Sequence, residues 1–270
     1  MICFGTSMSS RKDEGTSKRI LDHAAASPSS SSSSPPKKNQ NERTRLRPLS
    51  HGLAKVLRHK ALDMGLPMTP DGYVPVQAIL DCKQSGKSLR GYSLEDVRQV
   101  VETCDKQRFK LEERPAASYY GETRDHHQDG TTVLCIRANH GHSIAIVDPD
   151  LLLERLDVNA LRSLPVIVHG TYREAWKSIQ QQGLKRMTRN HIHFASGLPK
   201  EDGVISGMRK SCEVFIYVDA QKCARDGVAF YRSDNGVLLT AGLKDEGTLP
   251  TDYFLRVTDA SGADISTTGI

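Results

Sequence analysis

Several features that define common classes of protein are missing from this chain. Its six cysteines contain no Cys-x-x-Cys pair, and the two nearest ones, Cys212 and Cys223, stand 11 positions apart. This spacing fits neither a zinc ribbon nor a dense disulfide framework. We therefore expect the cysteines to be small core residues in a protein of a reducing compartment, cytoplasmic or nuclear or both.

The glycine-rich loops that bind phosphate in many nucleotide enzymes are absent as well. The sequence contains neither G-x-x-x-x-G-K-[ST] nor G-x-G-x-x-G, which argues against a P-loop ATPase and a Rossmann dehydrogenase. No apolar run approaches the roughly 20 residues that cross a bilayer. We therefore expect no membrane partner.

Apolar residues are scarce at the start of the chain. The hydrophobic fraction is 37% overall, and residues 1–47 have almost no apolar pattern but contain the serine run Ser29–Ser34. Residues 1–49 hold nine Lys and Arg against four acids, so their net charge of +5 equals that of the whole chain. We predict a disordered tail over residues 1–47. Such a basic arm either binds nucleic acid loosely through phosphates or is only solvated.

Residues 48–148 alternate between helical and strand patterns. The predicted elements are a helix with Ser50 as N-cap, a strand and helix over Val74–Leu80, a helix from Ser93, and strands over Arg108–Leu111 and Thr131–Arg137. Residues 112–130 are polar and contain glycine, which predicts a mobile loop. Three helices before a two-stranded ribbon is the order of a winged helix, whose third helix and ribbon often face nucleic acid. Other small α+β lobes share this order.

From residue 149 onward, strand patterns dominate. The strand Val166–His169 is predicted to end at Gly170, and Thr171–Glu174 fits the capping box of a helix that ends at Gly183. Further strands are predicted over His191–Ala195, Glu213–Val218, Val228–Arg232, Gly236–Thr240 and Tyr253–Val257. The predicted fold class is α+β, with residues 149–270 forming a β-rich lobe and not a run of βαβ units.

Three arginines occur in segments whose neighbours are apolar. Arg58 precedes His59 on a core-facing helix, Arg137 ends an apolar strand, and Arg189 comes just before another. A cation at a core edge is costly to desolvate unless an anion meets it. That anion is either a carboxylate from elsewhere in the fold or part of a substrate. Few acids are close in sequence, so we favour a substrate phosphate, which a guanidinium grips with two hydrogen bonds.

The tripeptide His169-Gly170-Thr171 is a second candidate for binding an anion. A strand that ends in glycine just before a helix gathers unpaired N–H groups and a positive dipole end at one place. The alternative is that Thr171 only caps the helix and His169 binds a local carbonyl group.

Two pairs of histidines allow a metal hypothesis. His140 and His142, and likewise His191 and His193, would lie on one face of a strand. Four imidazoles could ligate zinc, but no closely neighbouring acid or cysteine completes the site or orients the rings. We therefore expect no metal.

Taken together, these segments resemble the RNA 2′-phosphotransferase family, which acts on tRNA. The matching stretches are Leu49–Ala61, Asp71–Pro75, Gln107–Phe109, Ile136–Ser143, His169–Thr171, Arg189–His193, Ile205–Arg209 and Asn235–Thr240. They follow one another in order over roughly residues 49–257. Because several independent motifs agree, the resemblance is specific.

The resemblance implies a winged-helix-like RNA-binding lobe at residues 48–148 and an ADP-ribosyltransferase-like lobe that holds NAD at residues 149–270. It also implies the reaction. The 2′-phosphate left in a tRNA by splicing attacks the nicotinamide ribose of NAD and expels nicotinamide. The 2″-hydroxyl of that ribose then displaces the RNA, leaving RNA with a 2′-hydroxyl and ADP-ribose 1″,2″-cyclic phosphate.

The family's functional residues fall on particular positions of this chain. The catalytic residues implied are Arg58, His59, Arg137 and Arg189; the arginines would bind the phosphate, and two of them with His59 would assist the second step. The residues implied to contact NAD are His169, Gly170, Thr171, His193, Val237 and Ser143. One position departs from the pattern, since His140 stands where the family leads us to expect glutamine.

The leading hypothesis is a monomeric, metal-independent enzyme that consumes NAD and acts on RNA with an internal 2′-phosphate. A first alternative is an ADP-ribosyltransferase that modifies nucleic-acid ends and stops after the first step. A second is a winged-helix RNA-binding protein without catalysis, and a more distant one is a metal-dependent hydrolase.

Overall fold

The computed structural model describes residues 40–85, 89–120, 131–198, 207–243 and 247–266. The chain from residue 39 onward groups into one compact unit. Its α-helices are α1 (Gln40–Lys55), α2 (Val76–Asp81), α3 (Leu94–Thr103), α4 (Ala117–Tyr120), α5 (Pro149–Leu152), α6 (Val158–Arg162), α7 (Arg173–Gln182) and α8 (Ala220–Arg225). Its strands are β1 (Val74–Pro75), β2 (Phe109–Pro115), β3 (Thr132–Ala138), β4 (Glu154–Leu156), β5 (Val168–Thr171), β6 (Leu184–Lys185), β7 (Ile192–Phe194), β8 (Val214–Val218), β9 (Phe230–Arg232), β10 (Leu238–Thr240), β11 (Thr248–Leu249) and β12 (Phe254–Asp259).

These strands pair into small antiparallel sheets. Their orders are β1-β3-β2, β4-β9-β10-β7, β12-β8-β5 and β11-β6. Helices combined with antiparallel sheets confirm the predicted α+β class in its general form. None of the helices in the described ranges is long and apolar enough to cross a membrane.

The first core lies between α1, α2, α3 and the β1-β3-β2 sheet. Leu49, Leu53 and Leu57 are fully buried in it, with the apolar side of the predicted helix turned inward. The helix predicted from Ser93 is confirmed: its hydroxyl accepts a hydrogen bond from Asp96 N at 3.2 Å, and the Asp96 carboxylate accepts one from Ser93 N at 2.8 Å. This capping box satisfies donors that would otherwise lack partners at the start of α3.

The second core lies against β8, every residue of which is buried. Strand β10 separates the two cores. Leu238 packs into the second core, whereas Val237 and Leu239 pack into the first, because successive side chains of a strand point to opposite faces. The first core thus contains residues from both sides of the boundary that we predicted after residue 148.

The predicted start of order is wrong by just over two helical turns. Helix α1 begins at Gln40 and not near Pro48, so residues 40–47 belong to the fold. Leu46 is buried in the first core, and Arg45 pairs with Asp96 at 2.6 Å. Because these contacts come from segments far away in sequence, the composition of residues 40–47 alone does not predict that they fold. The rest of the predicted tail lies outside the described residues.

The loop predicted over residues 112–130 is also wrong in part. Strand β2 continues to Pro115 and pairs with β3 along its length, and α4 follows it. The segment is polar because one face of this ribbon is exposed, as is common in antiparallel sheets. Residues 121–130 of that prediction lie outside the described residues.

Candidate active site

A cleft of about 480 Å³ brings together side chains from distant parts of the chain. It is lined by Arg58, Lys106, Arg108, His140, Gly141, His169, Gly170, Thr171, Tyr172, Arg189, His193, Gly207, Met208, Arg209 and Cys212. Its volume lies within the range of small-molecule and cofactor sites. Five of these residues are Lys or Arg, and none is acidic.

A π-helical turn at the end of α1 presents Arg58 to the cleft. The turn spans Val56–Lys60, and the amide of Ala61 donates to the carbonyl of Val56 at 2.9 Å. Such wide turns inside helices often occur at functional sites. Here Leu57 is buried in the first core, while Arg58 beside it is half-buried.

Arg58 is a desolvated cation among other cations. Burial lowers its pKa to about 10, and the charges of Arg189 and Arg108 contribute to this shift. Its Nε has no hydrogen-bond partner. Within the described ranges, neither Arg58 nor Arg189 forms an ion pair with a carboxylate. The two guanidinium groups therefore form an uncompensated positive wall.

The loop Asn139–Ile144 after β3 links these cations. The amide of Asn139 donates to the carbonyl of Arg108 at 2.9 Å, and the amide of Ser143 donates to the carbonyl of Arg58 at 2.9 Å. On the other side, the amide of Asn190 donates to the carbonyl of His142 at 2.8 Å. One loop thus holds the backbones beside three cleft-lining cations.

Gly141 lies at the point where this loop passes Arg58. Its φ is +89°, a conformation that favours glycine, and a Cβ there would lie 3.3 Å from the Nε of Arg58. The loop can approach Arg58 this closely only because position 141 has no side chain.

His59 is exposed beside Arg58, and its Nδ1 lies 2.9 Å from the hydroxyl of Ser143. Partial burial, then the charges of Arg58, Arg189 and Lys60, lower the pKa of His59. The imidazole is therefore neutral near pH 7, and one of its nitrogens can accept a proton.

His169 lies on β5 and His193 on β7, and a bridge between Val168 and Ala195 connects these two strands of different sheets. Nδ1 of His169 lies 2.8 Å from the carbonyl oxygen of His193, which can only accept, so Nδ1 carries the proton and Nε2 is an acceptor. Burial lowers the pKa of His169. Burial, followed by the charges of Arg189 and Arg58, lowers the pKa of His193 to about 3, and its Nε2 has no partner. Both rings are neutral hydrogen-bonding groups.

His140 packs against His193 with the ring centroids 5.2 Å apart. It is buried, its Nδ1 has no partner, and its Nε2 lies 3.4 Å from the side-chain amide of Asn235. Burial holds the pKa of His140 well below its usual value. The paired-histidine strand arrangement considered for zinc is wrong for His140 and His142, which lie in the loop after β3, and no group of three or more His, Cys, Asp or Glu side chains in the described ranges could hold a metal.

These features agree with the comparison of the sequence with known families. The family model described as RNA 2′-phosphotransferase, Tpt1 / KptA family, matches residues 44–242. The chain belongs to this family.

Individual proteins are also similar to this chain over most of its length. A relative from Schizosaccharomyces pombe is 46% identical over 213 residues, which are 79% of this chain but 51% of that protein, so this chain spans about half of its length. The protein named tRNA 2′-phosphotransferase 1 from Bos taurus is 45% identical over 207 residues, covering 76% of this chain and 72% of the relative. The protein of the same name from Danio rerio is 44% identical over 219 residues, covering 81% and 88%.

Most of the site residues predicted from the resemblance to the RNA 2′-phosphotransferase family line the cleft. Those that do are Arg58, Arg189, His169, Gly170, Thr171 and His193. Three others lie apart from its lining. His59 and Ser143 contact each other beside Arg58, and Val237 is fully buried in the first core.

Arg137 is also absent from the cleft lining. Its guanidinium donates to the carboxylate of Asp234 at 2.8 Å and to the carbonyl of Leu152 at 3.0 Å, and it lies over the ring of Tyr73. Our expectation that the three arginines would all lack an acidic partner is therefore wrong for Arg137. His142 lies close enough to both Arg58 and Arg137 to be affected by their charges. Burial, and then these two charges, lowers the pKa of His142 to about 3.

The helix N-terminus predicted directly after Gly170 is not formed there. Thr171 is the last residue of β5, where it pairs with Val214, and α7 begins at Arg173, whose amide donates to the carboxylate of Glu213 at 3.1 Å. Gly170 is required for a different reason, since a Cβ there would lie 2.8 Å from the Sγ of Cys212. This part of the cleft is packed so closely that a side chain at position 170 would collide with Cys212.

Sequence reasoning missed three further cations of the cleft, Lys106, Arg108 and Arg209. Burial, then the charges of Arg108, Lys210 and Arg209, lowers the pKa of Lys106. Arg108 and Arg209 stood inside matched motifs of the family, so their positions were visible, but their convergence depends on the fold.

Proposed function

We propose that this chain transfers the 2′-phosphate of spliced tRNA to NAD, giving RNA with a free 2′-hydroxyl, nicotinamide and ADP-ribose 1″,2″-cyclic phosphate. One observation carries the proposal. Arg58 and Arg189 line the same cleft and form no ion pair in the described ranges, next to buried neutral histidines. The names of the relatives from Bos taurus and Danio rerio support the same activity.

The arginines suit the phosphate of the RNA. A guanidinium keeps its charge at physiological pH and presents donors in a fork that matches two phosphate oxygens. Burial, and then repulsion from Arg189 and Arg108, lowers the pKa of Arg58, and an anion of charge about −2 that enters between the cations offsets that repulsion. Binding of the substrate phosphate therefore relieves a cost that the free enzyme carries.

The two histidines of the cleft suit NAD. Nε2 of His169 is an acceptor, and Nε2 of His193 is buried without a partner. Neutral ring nitrogens can bind ribose hydroxyl groups, which donate and accept hydrogen bonds. When bound, NAD supplies the ribose carbon that the phosphate attacks and the leaving nicotinamide. The phosphate that the cations hold stabilises the positive charge that develops on this ribose.

The roles of the other predicted residues follow from their positions. Arg58 and Arg189 bind the reacting phosphate, and His59 moves a proton in the second step. Arg137 acts through the packing of the site, where it holds Asp234 and lies near His142. Residues 48–148, as a winged-helix-like lobe, contact the RNA, and residues 149–270, as an ADP-ribosyltransferase-like lobe, hold NAD.

The test is to incubate the protein with an RNA oligonucleotide that carries one internal 2′-phosphate, with and without NAD. We expect loss of the phosphate only with NAD, and mass spectrometry should find the cyclic phosphate of ADP-ribose. Intact substrate and unconsumed NAD would reject the proposal. Stable ADP-ribosylated RNA as the final product would favour the ADP-ribosyltransferase alternative.

A further inference from the structure

Ser143 contacts the π-helical turn that carries Arg58 and His59. Its amide donates to the carbonyl of Arg58 at 2.9 Å, and its hydroxyl lies 2.9 Å from Nδ1 of His59 and 3.5 Å from the same carbonyl oxygen. Ser143 does not line the cleft. The family resemblance had led us to expect a contact with NAD, whereas the side-chain contacts of Ser143 in the structure are with His59 and the carbonyl of Arg58.

The contact of the Ser143 hydroxyl with the carbonyl of Arg58, at 3.5 Å, favours one direction for the bond to His59. A carbonyl oxygen only accepts, and a serine hydroxyl has one proton. When the hydroxyl of Ser143 donates to the carbonyl of Arg58, its oxygen must accept from Nδ1 of His59. The proton of the neutral ring then lies on Nδ1, and Nε2 keeps its lone pair.

The charged groups around His59 keep the ring in this neutral state. Arg58, Lys60 and Arg189 all disfavour its protonation, and Lys60 is itself paired with Asp63 at 2.8 Å. His142, whose pKa is about 3, faces it from the loop Asn139–Ile144 and adds no charge near neutral pH. A neutral ring with a fixed tautomer is what a general base requires.

We infer that Ser143 is a positioning residue, which fixes the tautomer and orientation of His59 for the second step of the reaction. This inference rests on the proposed function. In that step Nε2 of His59 takes the proton of the 2″-hydroxyl while the 2″-oxygen forms a bond to phosphorus. The bond between phosphorus and the RNA 2′-oxygen breaks, that oxygen takes a proton from water, and the imidazolium later returns its proton to water.

The first step does not use this proton transfer, since the attacking phosphate is already an anion. Ser143→Ala should therefore slow the second step far more than the first. Hydrogen-bond partners that orient histidines bound to a metal are typically worth about 10- to 100-fold, and a loss of this size in the second step should make the ADP-ribosylated RNA accumulate. Ser143→Thr keeps the hydroxyl and should restore most of the rate.

The experiment follows both steps in one gel, with the full chain, NAD and a labelled 2′-phosphorylated oligonucleotide. Ser163→Ala is the matched control, because the hydroxyl of Ser163 also donates to a backbone carbonyl, that of Asn159, but contacts neither Arg58 nor His59. The rate of the second step is also measured against pH. The bond from Nδ1–H to Ser143 is stronger when the ring is charged; its loss in Ser143→Ala should move the acid limb of this profile to lower pH.

The outcomes separate the inference from the proposed function. If the wild-type protein performs neither step, the proposed function fails. If it performs both, the inference fails when Ser143→Ala slows the two steps equally, leaves both unchanged, or gives an unshifted pH profile, and when Ser143→Thr does not restore the rate. Should Ser143→Ala not fold, Ser143→Cys, whose sulfur is a weak acceptor, takes its place with the same expected results.

Discussion

The guanidinium of Arg137 lies 2.8 Å from the carboxylate of Asp234, although the two residues are 97 positions apart in sequence. Only 7% of the Arg137 side chain is exposed, so its charge depends on this partner. Arg58 and Arg189 have no such partner in the described ranges. The arginines implied by the family pattern thus fall into two kinds, one neutralised within the fold and two that face the cleft.

Asp234→Ala should reduce the free energy of unfolding by about 1–3 kcal/mol, because it leaves the buried guanidinium of Arg137 without its charged acceptor. We expect the lower part of that range, because 40% of the Asp234 side chain is exposed and solvent screens the pair. Urea unfolding measures the change. The control is Lys110→Ala, because Lys110 is exposed, contacts Asp234 at 3.4 Å and should matter little. Equal effects of the two changes would contradict the prediction.

Arg58→Ala and Arg189→Ala should each lower NAD-dependent removal of the 2′-phosphate by about 100-fold or more, as expected when one charged group that stabilises a transition state is lost. Arg58 lies next to His59, so Arg58→Ala should trap more of the ADP-ribosylated intermediate than Arg189→Ala does. A trapping gel with labelled RNA measures both. The opposite order of trapping would show that these roles are assigned wrongly.

The stability of the protein should fall as the pH is lowered below about 6.5, the pKa of an unfolded histidine. Folding holds the pKa of His142 and of His193 at about 3 and that of His191 at about 4. Between these values and 6.5, the unfolded chain binds more protons, so each ring removes up to about 1.4 kcal/mol of stability per pH unit.

Urea unfolding at pH 7.5, 6.5 and 5.5 tests this dependence on pH. His142→Gln should flatten the profile, whereas a change at the exposed His51, His51→Gln, should leave its slope unaltered. A stability that does not change over this range would contradict the neutral state of the buried rings.

Gly141→Ala should impair activity more than stability. The new Cβ would lie 3.3 Å from the Nε of Arg58 and displace the guanidinium, in addition to roughly 1–2 kcal/mol of backbone strain at positive φ. Gly91→Ala is the matched control, because Gly91 has a φ of +79° but a Cβ added there would meet no atom within 4 Å. Both changes should lower the melting temperature to a similar extent, and only Gly141→Ala should reduce phosphate transfer. Equal activity of the two variants would argue against close control of Arg58 by the loop.

Much of the fold could be predicted from the sequence because its signals are local. The capping box at Ser93, the strand that runs into α2 and the glycine at the end of α7 are each encoded within a few residues. The capping box predicted at Thr171 was wrong because pairing with Val214 extends β5 through that residue. Pairing between strands outweighs a short capping motif when both compete for the same backbone.

The candidate site was predictable only in part, because its decisive contacts are long-range. The motifs identified the residues, but nothing near Arg137 in sequence revealed Asp234, and nothing near His59 revealed Ser143, 84 positions away. Likewise, Lys106 and Arg209 join Arg58 only through the fold. Spacing along the chain indicates which chemistry is present, whereas partners and charge balance depend on tertiary contacts.

Strand β10 takes part in both hydrophobic cores. Its residue Leu238 packs into the second core and Leu239 into the first, so both cores lose contacts when this strand detaches. If the chain were cut at residue 148, the first core would lose the side chains of Tyr231, Val237 and Leu239, and water would take their place. The parts of the chain before and after residue 148 are therefore expected to unfold together, and neither is expected to stay folded alone.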